Sequence, residues 1–168
     1  MRFETLAVGH LDSLLKFELE NRAWFETQIA PRGNDFYNCL GVKTHINESI
    51  VNAKLGNSYS AVLIENGEIR ARANLKNICA KQNCAFVGYR VAYKNTGKGL
   101  ATLCLSELIR EAQRSYKIKE LRAQVLSNNP ASISVLKKKE FKETNYQEDF
   151  LELNGEKLGC TTYSRISA

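Results

Sequence analysis

The 168-residue sequence contains no hydrophobic run long enough to cross a bilayer. Its longest apolar stretches, residues 61–64 and 87–93, are short or interrupted, whereas a spanning helix needs about 20 apolar residues. The N-terminus carries an early acid, Glu4, and no apolar stretch followed by a small-residue cleavage site. We therefore expect no membrane segment and no secretory signal, and a cytoplasmic protein.

Metal-binding patterns are also missing. The sequence has only two histidines, and its cysteines form an odd set of five with no CxxC pair: Cys39, Cys79, Cys84, Cys104 and Cys160. Structural zinc sites use closely spaced Cys and His ligands. We expect reduced thiols and no metal.

The composition is that of an ordinary folded domain, with 43% apolar and 25% charged residues. The net charge of +6 favours an anionic partner, which could be RNA, an acidic protein surface or a polyphosphate cofactor. The charge alone does not choose among these three. No linker, repeat or low-complexity segment divides the chain, so residues 1–168 are predicted to form one α/β domain.

Hydrophobic periodicity predicts where helices and strands alternate. Helices are predicted over residues 11–25, from an N-cap at Thr44 to Gly56, over 100–116, and from Asn129-Pro130 to about 139. Trp24 and Phe25 are assigned to the core. Strands are predicted over residues 2–6, 59–65, 69–75, 84–93 and 121–126, followed by a closing hairpin that turns at Asn154-Gly155. The nearly continuous apolar character of residues 84–93 predicts a strand in the middle of the sheet.

A glycine-bearing loop, Asn95-Thr96-Gly97-Lys98-Gly99, connects this central strand to the helix that follows. Two glycines at such a junction let the amides of residues 97–101 point at a phosphate beside the positive end of the helix. A Walker loop is disfavoured because it requires a GK[ST] run, and here Lys98 is followed by Gly99. The dinucleotide fingerprint is disfavoured because antiparallel strands precede the loop and Thr102 replaces its third glycine.

The loop and its surroundings resemble the GNAT acetyltransferase superfamily. The similarity includes the run from Thr96 to Ala101, Gly88-Tyr89-Arg90-Val91 before it, and Asn129-Pro130-Ala131-Ser132-Ile133 after the next strand. These flanks are similar to the branch that acetylates ribosomal-protein N-termini. The resemblance implies a mixed, mostly antiparallel sheet of about seven strands flanked by about four helices, and an acetyl-CoA-dependent N-acetyltransferase.

Three positions depart from the pattern of this superfamily. Thr96 stands where the loop usually has Gln or Arg, and Phe86 stands where a carboxylate often precedes the Gly-Tyr pair. Glu140 occupies the position at the end of the last helix that is usually glycine. The phosphate cradle is built from backbone amides, so none of the three removes it.

The resemblance also implies the cofactor contacts. The main chain of Val91, Ala92 and Tyr93 would hold the pantetheine arm, and Gly97, Lys98, Gly99, Leu100 and Ala101 would hold the pyrophosphate. Asn129 would contact the cofactor while capping its helix. Ser132, on the first turn of that helix, would donate to the departing thiolate.

The resemblance gives less detail about the residues that bind the acceptor amine. Residues of the N-terminal helices would form the acceptor rim: Glu20, Asn21, Arg22, Arg32 and Tyr37. Phe86 cannot accept a proton, so another group must take it from the amine. In the resembled branch a glutamate precedes an aromatic-Leu pair just before the Asn-Gly hairpin, and Asp149-Phe150-Leu151 occupies that place here. The resemblance therefore implies Asp149 as the base, with Glu148 or water as alternatives.

Three functions remain open from the sequence. The first is acetylation of a protein N-terminal α-amine of the ribosomal-protein alanine type. The second is acetylation of a small amine such as a polyamine, an amino acid or an antibiotic, and the third is a non-catalytic CoA-binding or partner-binding module. No direct nucleic-acid binding is expected, and the protein is predicted to be a monomer or homodimer.

Overall fold

A computed structural model describes residues 1–167. Its seven strands form one sheet with the spatial order β1-β2-β3-β4-β5-β7-β6. The strands are β1 (Arg2–Thr5), β2 (Tyr59–Glu65), β3 (Glu68–Cys79), β4 (Cys84–Val91), β5 (Glu120–Leu126), β6 (Lys142–Leu153) and β7 (Glu156–Ile166). Only the β4–β5 pair is parallel, and β4 lies in the middle of the sheet, as predicted.

The two predicted hairpins are present because each has a two-residue turn whose backbone suits asparagine and glycine. Asn66 and Gly67 join β2 to β3 with φ values of 52° and 77°, and Asn154 and Gly155 join β6 to β7 with 52° and 78°. Two consecutive positive φ values are the signature of a type I′ turn, whose twist matches that of the strands.

Helices cover both faces of the sheet. They are α1 (Leu11–Glu20), α2 (Arg22–Phe25), α3 (Cys39–Lys54), α4 (Leu100–Arg114) and α5 (Pro130–Lys138). On one face, α4 and α5 pack Leu105, Leu108 and Leu136 against β3, β4 and β5. On the other face, the first three helices bury a second cluster that includes Leu14, Phe25 and Ile46. The expected fold class is therefore confirmed.

Helix α3 begins earlier than the sequence indicated. Its N-cap is Asn38, whose Oδ1 accepts a hydrogen bond from the Gly41 amide at 2.9 Å, so the predicted N-cap at Thr44 is wrong. Gly41 lies so close to the preceding turn that an added Cβ would overlap the Asp35 carbonyl oxygen. This tight approach fixes the turn at residues 34–36 against the start of α3.

The β4–β5 pairing is short. Only Cys84–Phe86 of β4 pairs with Glu120–Arg122 of β5, and the rest of each strand has no partner on that side. β5 is held along its whole length by β7, so the two parallel strands diverge beyond Phe86. Their divergence opens the sheet at its centre.

No helix within residues 1–167 has both the length and the apolar character needed to cross a membrane.

Candidate active site

A cavity of about 440 Å³ occupies the opening between β4 and β5. Residues 86–91 of β4 and 123–126 of β5 form two of its walls. Trp24 from α2, Ser132 from α5 and Phe150 from β6 complete the lining together with part of β3. This is the point at which the sheet's own pairing leaves main-chain groups available to a ligand.

The glycine loop lies directly after β4. Gly97 and Gly99 have φ values of 75° and 76°, and a Cβ added to either would meet nothing within 4 Å. Gly99 is the N-cap of α4 and has no side chain to occupy the first-turn amides. Leu100 is buried and anchors the helix start, whereas Lys98 is exposed. An uncapped helix N-terminus with open space in front of it fits a pyrophosphate.

The main chain of β4 presents alternate residues to the opening. The Ala92 amide donates to the Arg70 carbonyl at 3.0 Å, and hydrogen-bonded pairs recur every second residue in an antiparallel ladder. Even-numbered residues therefore bond to β3, and the main-chain groups of Val87, Tyr89 and Val91 face the diverging side. The Val91 carbonyl accepts from Trp24 Nε1 at 3.3 Å.

This arrangement revises the predicted pantetheine segment. Val91 faces the opening, but Ala92 is 1% exposed and bonded to β3. The Tyr93 amide donates to Asn21 Oδ1 at 2.8 Å. Of the predicted stretch, only Val91 therefore faces the opening, and the main-chain groups that face it continue upstream to Tyr89.

Ser132 and Asn129 are positioned as predicted at the start of α5. Asn129 Oδ1 accepts from the Ser132 amide at 3.1 Å, which confirms the N-cap. Ser132 Oγ lies 2.9 Å from the hydroxyl of Tyr89. Both side chains line the cavity. Burial raises the pKa of Tyr89, so its hydroxyl keeps its proton at neutral pH and can donate to Ser132.

On β3 and β4, the face of the sheet that is turned away from α4 and α5 carries charged and polar side chains. Arg72 pairs with Arg90, Asn74 with Gly88 and Lys76 with Phe86. Alternation along a strand places all six on one face, with successive rungs about 7 Å apart. All six also line the cavity. The alternation was read from the sequence as a half-buried strand, but Arg72 is 4% exposed because α1 and α3 cover it.

A buried carboxylate organises these cations. Glu18 on α1 is fully buried; its Oε1 accepts from Arg72 Nη1, and its Oε2 accepts from Arg90 Nη1 at 3.3 Å. Arg72 Nη2 also lies 2.7 Å from His45 Nε2 on α3. Arg32 stacks over the Phe36 ring, 4.1 Å from its centroid. We call Arg72, Arg90, Arg32, Lys76 and Glu18 the basic wall.

The pKa values of groups in and beside the basic wall reflect an excess of positive charge. Burial opposes ionisation of Glu18, but Arg72, Arg90 and Arg32 together lower its pKa. Burial lowers the pKa of Arg90 to about 10; Glu18 opposes this shift, and Arg32 and Arg72 add to it. Burial and the repulsion of Arg72 and Arg32 lower the pKa of His45 to about 3, so His45 is neutral and accepts a hydrogen bond from Arg72.

Lys76 stands at the mouth of the cavity. Solvent reaches its side chain, yet desolvation by the surrounding protein, followed by repulsion from Arg90, Arg32 and Arg72, lowers its pKa. Next to it, Asn74 Oδ1 is buried and has no hydrogen-bond partner within residues 1–167. An unpaired buried oxygen facing a cavity is a ready acceptor for a ligand N–H.

The five predicted acceptor-rim residues do not line this cavity. Glu20 is exposed and pairs with Lys16 and Lys94 on the outside of α1. Asn21 is buried, with both ends of its amide bonded to backbone. These two predictions are therefore not supported by position. Trp24, predicted as core, is half-buried and contacts the cavity.

The remaining three rim residues, Arg22, Arg32 and Tyr37, are partly buried. Arg22 bonds to Glu26 and Asn34 and lies over the Tyr37 ring at 4.1 Å, so it holds the rim segment together. Burial raises the pKa of Tyr37. Of the predicted set, Arg32 alone belongs to the basic wall.

The predicted base Asp149 lies on an irregular stretch of β6. Pairing with β7 is interrupted between Gln147 and Leu151, and Asp149 has a φ of 49°. Its side chain is 59% exposed and lies 3.5 Å from Lys157 Nζ. Glu148 is also exposed, whereas the following Phe150 faces the cavity. Neither acid is brought to the cavity, so a role for either as base stays a prediction.

The sequence analysis did not single out two groups of residues at this site. Tyr89 was part of a recognised motif, but only the fold shows that its hydroxyl meets Ser132. The alternation of Arg72, Asn74 and Lys76 along β3 was visible in the sequence. Its signal is that charged side chains are rarely buried unless they are paired. Glu18 carries no local signal, because it resembles any helical acid.

Comparisons with known proteins found related sequences. A family model described as the acetyltransferase (GNAT) domain matches residues 15–142. A probable N-acetyltransferase, YjcK, from Bacillus subtilis is 24% identical over 153 residues, which cover 89% of this chain and 84% of the relative. The [ribosomal protein uS5]-alanine N-acetyltransferase of Escherichia coli is 30% identical over 90 residues, which cover 53% of this chain and 46% of the relative.

Solved structures share the fold. RimJ from Mycobacterium smegmatis, in complex with a CoA disulfide, superposes with a TM-score of 0.89 at 19% sequence identity. The match covers 98% of this chain and 81% of that chain.

Proposed function

Because the chain belongs to the GNAT acetyltransferase family and is an acetyl-CoA-dependent N-acetyltransferase, we propose that its acceptor is the N-terminal α-amine of a protein. The partial similarity to a ribosomal-protein alanine N-acetyltransferase supports this acceptor class. A ribosomal-protein N-terminus is the first candidate, and a cytoplasmic location suits it. We propose that residues 1–168 act as one catalytic domain.

The observation that carries the proposal is the absence of a carboxylate from the cavity lining within residues 1–167. Phe86 occupies the usual position of the base, and the opposite wall is rich in cations. Such a site cannot readily deprotonate an amine of high pKa, and its positive charge destabilises a bound ammonium ion. An α-amine, with a pKa of about 7.7 to 8.0, is already partly neutral, whereas a lysine amine titrates at about 10.4.

The cofactor residues follow from the free backbone groups. We propose that the amides of residues 97–101 hold the pyrophosphate at the start of α4. The main chain of Tyr89 and Val91, which faces the opening, holds the pantetheine arm and offers an amide to the thioester oxygen. Asn129 fixes the position of Ser132. Acetyl-CoA supplies the activated acetyl group.

Following the protons through the reaction then assigns roles to Ser132 and Tyr89. As the amine nitrogen bonds to the acetyl carbon, the carbon–sulfur bond breaks and the thiolate needs a proton. Ser132 Oγ donates that proton, and the Tyr89 hydroxyl, 2.9 Å away, donates a hydrogen bond to the serine oxygen and keeps its own proton. A proton from water then restores the Ser132 hydroxyl. The proton lost by the amine passes to water. Asp149 would replace water in this step only if the stretch around Phe150 moved toward the cavity.

The two alternative functions have less support. A polyamine would bring several positive charges to a wall that already holds Arg72 and Arg90. A pure CoA-binding module would not need a Ser132–Tyr89 pair within the cavity.

The test is thiol release from acetyl-CoA with three acceptors: a peptide beginning with alanine and containing one internal lysine, the same peptide with its α-amine formylated, and spermidine. We expect turnover with the free α-amine only. Turnover of the blocked peptide or of spermidine, with none of the free peptide, would contradict the α-amine proposal. No turnover with any acceptor, together with tight CoA binding, would favour the binding module.

A further inference from the structure

We propose that the basic wall selects acceptors whose N-terminal segment carries a carboxylate, so that the substrate is a polypeptide with an acidic residue next to its first residue. The inference rests on the proposed α-amine acceptor and specifies which N-termini the site takes.

The first step is the charge of the wall. The basic wall contains four cations, Arg72, Arg90, Arg32 and Lys76, and one carboxylate, Glu18, whose two oxygens are already occupied by Arg72 and Arg90. Arg32 and Lys76 form no ion pair within residues 1–167, and His45 is neutral. The wall therefore has three positive charges in excess beside a cavity, and partly buried cations without a partner are costly. An anion from the acceptor would offset that cost.

The second step is the availability of hydrogen-bond donors. Arg72 is held on both sides, by Glu18 and by His45 at 2.7 Å. Arg90 makes a single hydrogen bond, 3.3 Å long, to Glu18 and lines the cavity. A guanidinium has five N–H donors, so Arg90 has donors left for a carboxylate. Arginine binds a carboxylate through two parallel hydrogen bonds, which gives direction as well as charge.

The third step is distance along the strands. The Asn74–Gly88 rung has an unpaired acceptor, Asn74 Oδ1, which suits an amine N–H. The Arg72–Arg90 rung lies about 7 Å farther along the sheet. Two residues of extended chain span about 7 Å, so an amine at the first rung places the second side chain at the arginines. A carboxylate on that side chain then meets Arg90.

Three peptides that differ only at the second position test this inference: Ala-Glu, Ala-Gln and Ala-Lys at the start of one common sequence. The expected result is a KM for the Glu peptide roughly tenfold lower than for the Gln peptide, with the Lys peptide poorest. The preference should weaken at high salt. Equal KM values for Glu and Gln would overturn the inference while leaving α-amine acetylation intact, and absence of turnover with all three would instead contradict the proposed function.

Two variants test whether the basic wall causes the preference for the Glu peptide. Thermal unfolding checks that each variant is folded. Arg90→Gln should reduce the Glu-over-Gln preference to about threefold or less. Lys76→Glu, at an exposed position, should lower the preference independently and improve the Lys peptide. The matched control is Arg110→Gln, which removes an exposed cation on α4 and should keep the preference. A control that lost the preference equally would reduce the effect to overall charge and overturn the inference.

Other occupants of the basic wall give distinct results. If Arg90→Gln weakened CoA binding and left peptide preference unchanged, the wall would serve the cofactor's phosphates. If free glutamate were acetylated with a KM as low as that of the Ala-Glu peptide, the acceptor would be a single amino acid. Either result would overturn the polypeptide proposal.

Discussion

The two sides of the β4–β5 opening are built in different ways. The side that we propose for CoA, the cofactor side, offers main-chain groups: the glycine loop, the uncapped start of α4 and the alternate amides of β4. The side that we propose for the amine, the acceptor side, carries side chains that converge from distant parts of the sequence, with Glu18 from α1, Arg72 from β3 and Arg90 from β4. One side suits a constant ligand, whereas the other depends on particular side chains that a single substitution can remove.

The difference predicts that the acceptor side is the more fragile under substitution. Glu18→Gln removes the one carboxylate of the basic wall, and breaking a buried ion pair costs about 3 to 5 kcal/mol. We expect a loss of this size in urea unfolding. Glu20→Gln, two residues away but exposed in weak pairs with Lys16 and Lys94, should change stability by less than about 0.5 kcal/mol. Similar losses for both variants would show that Glu18 is not the organising charge.

The second prediction concerns the point at which the two sides meet. Ser132→Ala should lower kcat by about 100-fold and leave the KM for acetyl-CoA within about threefold, since the cofactor's phosphates bind elsewhere. Tyr89→Phe should lower kcat by a smaller factor because it acts through Ser132. Ser134→Ala, an exposed serine on the same helix, is the control. If kcat were unchanged in Ser132→Ala, its hydroxyl would serve only the local structure.

A milder substitution tests the main-chain side. Gly99→Ala should weaken CoA binding by about tenfold, because a methyl group intrudes where the pyrophosphate approaches and a positive φ is strained. Gly56 provides a matched control: its φ is 74°, and an added Cβ would also meet nothing within 4 Å. Gly56→Ala should have the same backbone strain and normal CoA affinity. Equal CoA affinities in the two variants would place the cofactor elsewhere.

The smallest predicted effect is a pH dependence of the acceptor side. The pKa of His45 falls to about 3 in the folded state, below its unfolded value of about 6.5, so folding favours the neutral ring. His45 therefore stabilises the fold fully above pH 6.5, and this stability is lost as the pH falls below that value. Between pH 7.5 and 5.5 the loss should be about 1.4 kcal/mol.

The comparison variant for this pH effect is His45→Gln, which keeps an acceptor for Arg72 but does not titrate. Its unfolding free energy should fall less than that of the parent protein over the same interval. Parallel pH profiles for the two proteins would contradict the assignment of a neutral, buried His45.

The contrast between main-chain features and converging side chains also explains which parts of the site could be predicted from the sequence. The glycine loop, the Asn129 cap and both Asn-Gly turns depend on a few neighbouring residues, so local chemistry determined them. The predicted start of α3 was wrong because Gly41 lies in its first turn, and a glycine there does not look like part of a helix. Gly41 is needed for the close approach to the Asp35 carbonyl, which only the tertiary structure shows.

Convergent side chains could not be predicted in the same way. Glu18, His45 and Arg72 are 27 or more residues apart in sequence, and each looks like an ordinary polar position in its own element. The resemblance to a known family pointed to Asp149 by alignment with its hairpin, but the irregular stretch of β6 turns the side chain outward. The Tyr89–Ser132 contact likewise required the packing of α5 against β4.

Backbone amide NMR of the labelled protein would test the two-sided site most directly. Titration with CoA should shift the amide signals of Gly97, Gly99, Leu100 and Ala101, together with those of Tyr89 and Val91. Subsequent addition of the Ala-Glu peptide should shift Arg72, Asn74 and Arg90 on β3 and β4. If CoA instead shifted the arginine-bearing rungs, or if the peptide shifted only residues far from the opening, the division into a main-chain cofactor side and a side-chain acceptor side would be contradicted.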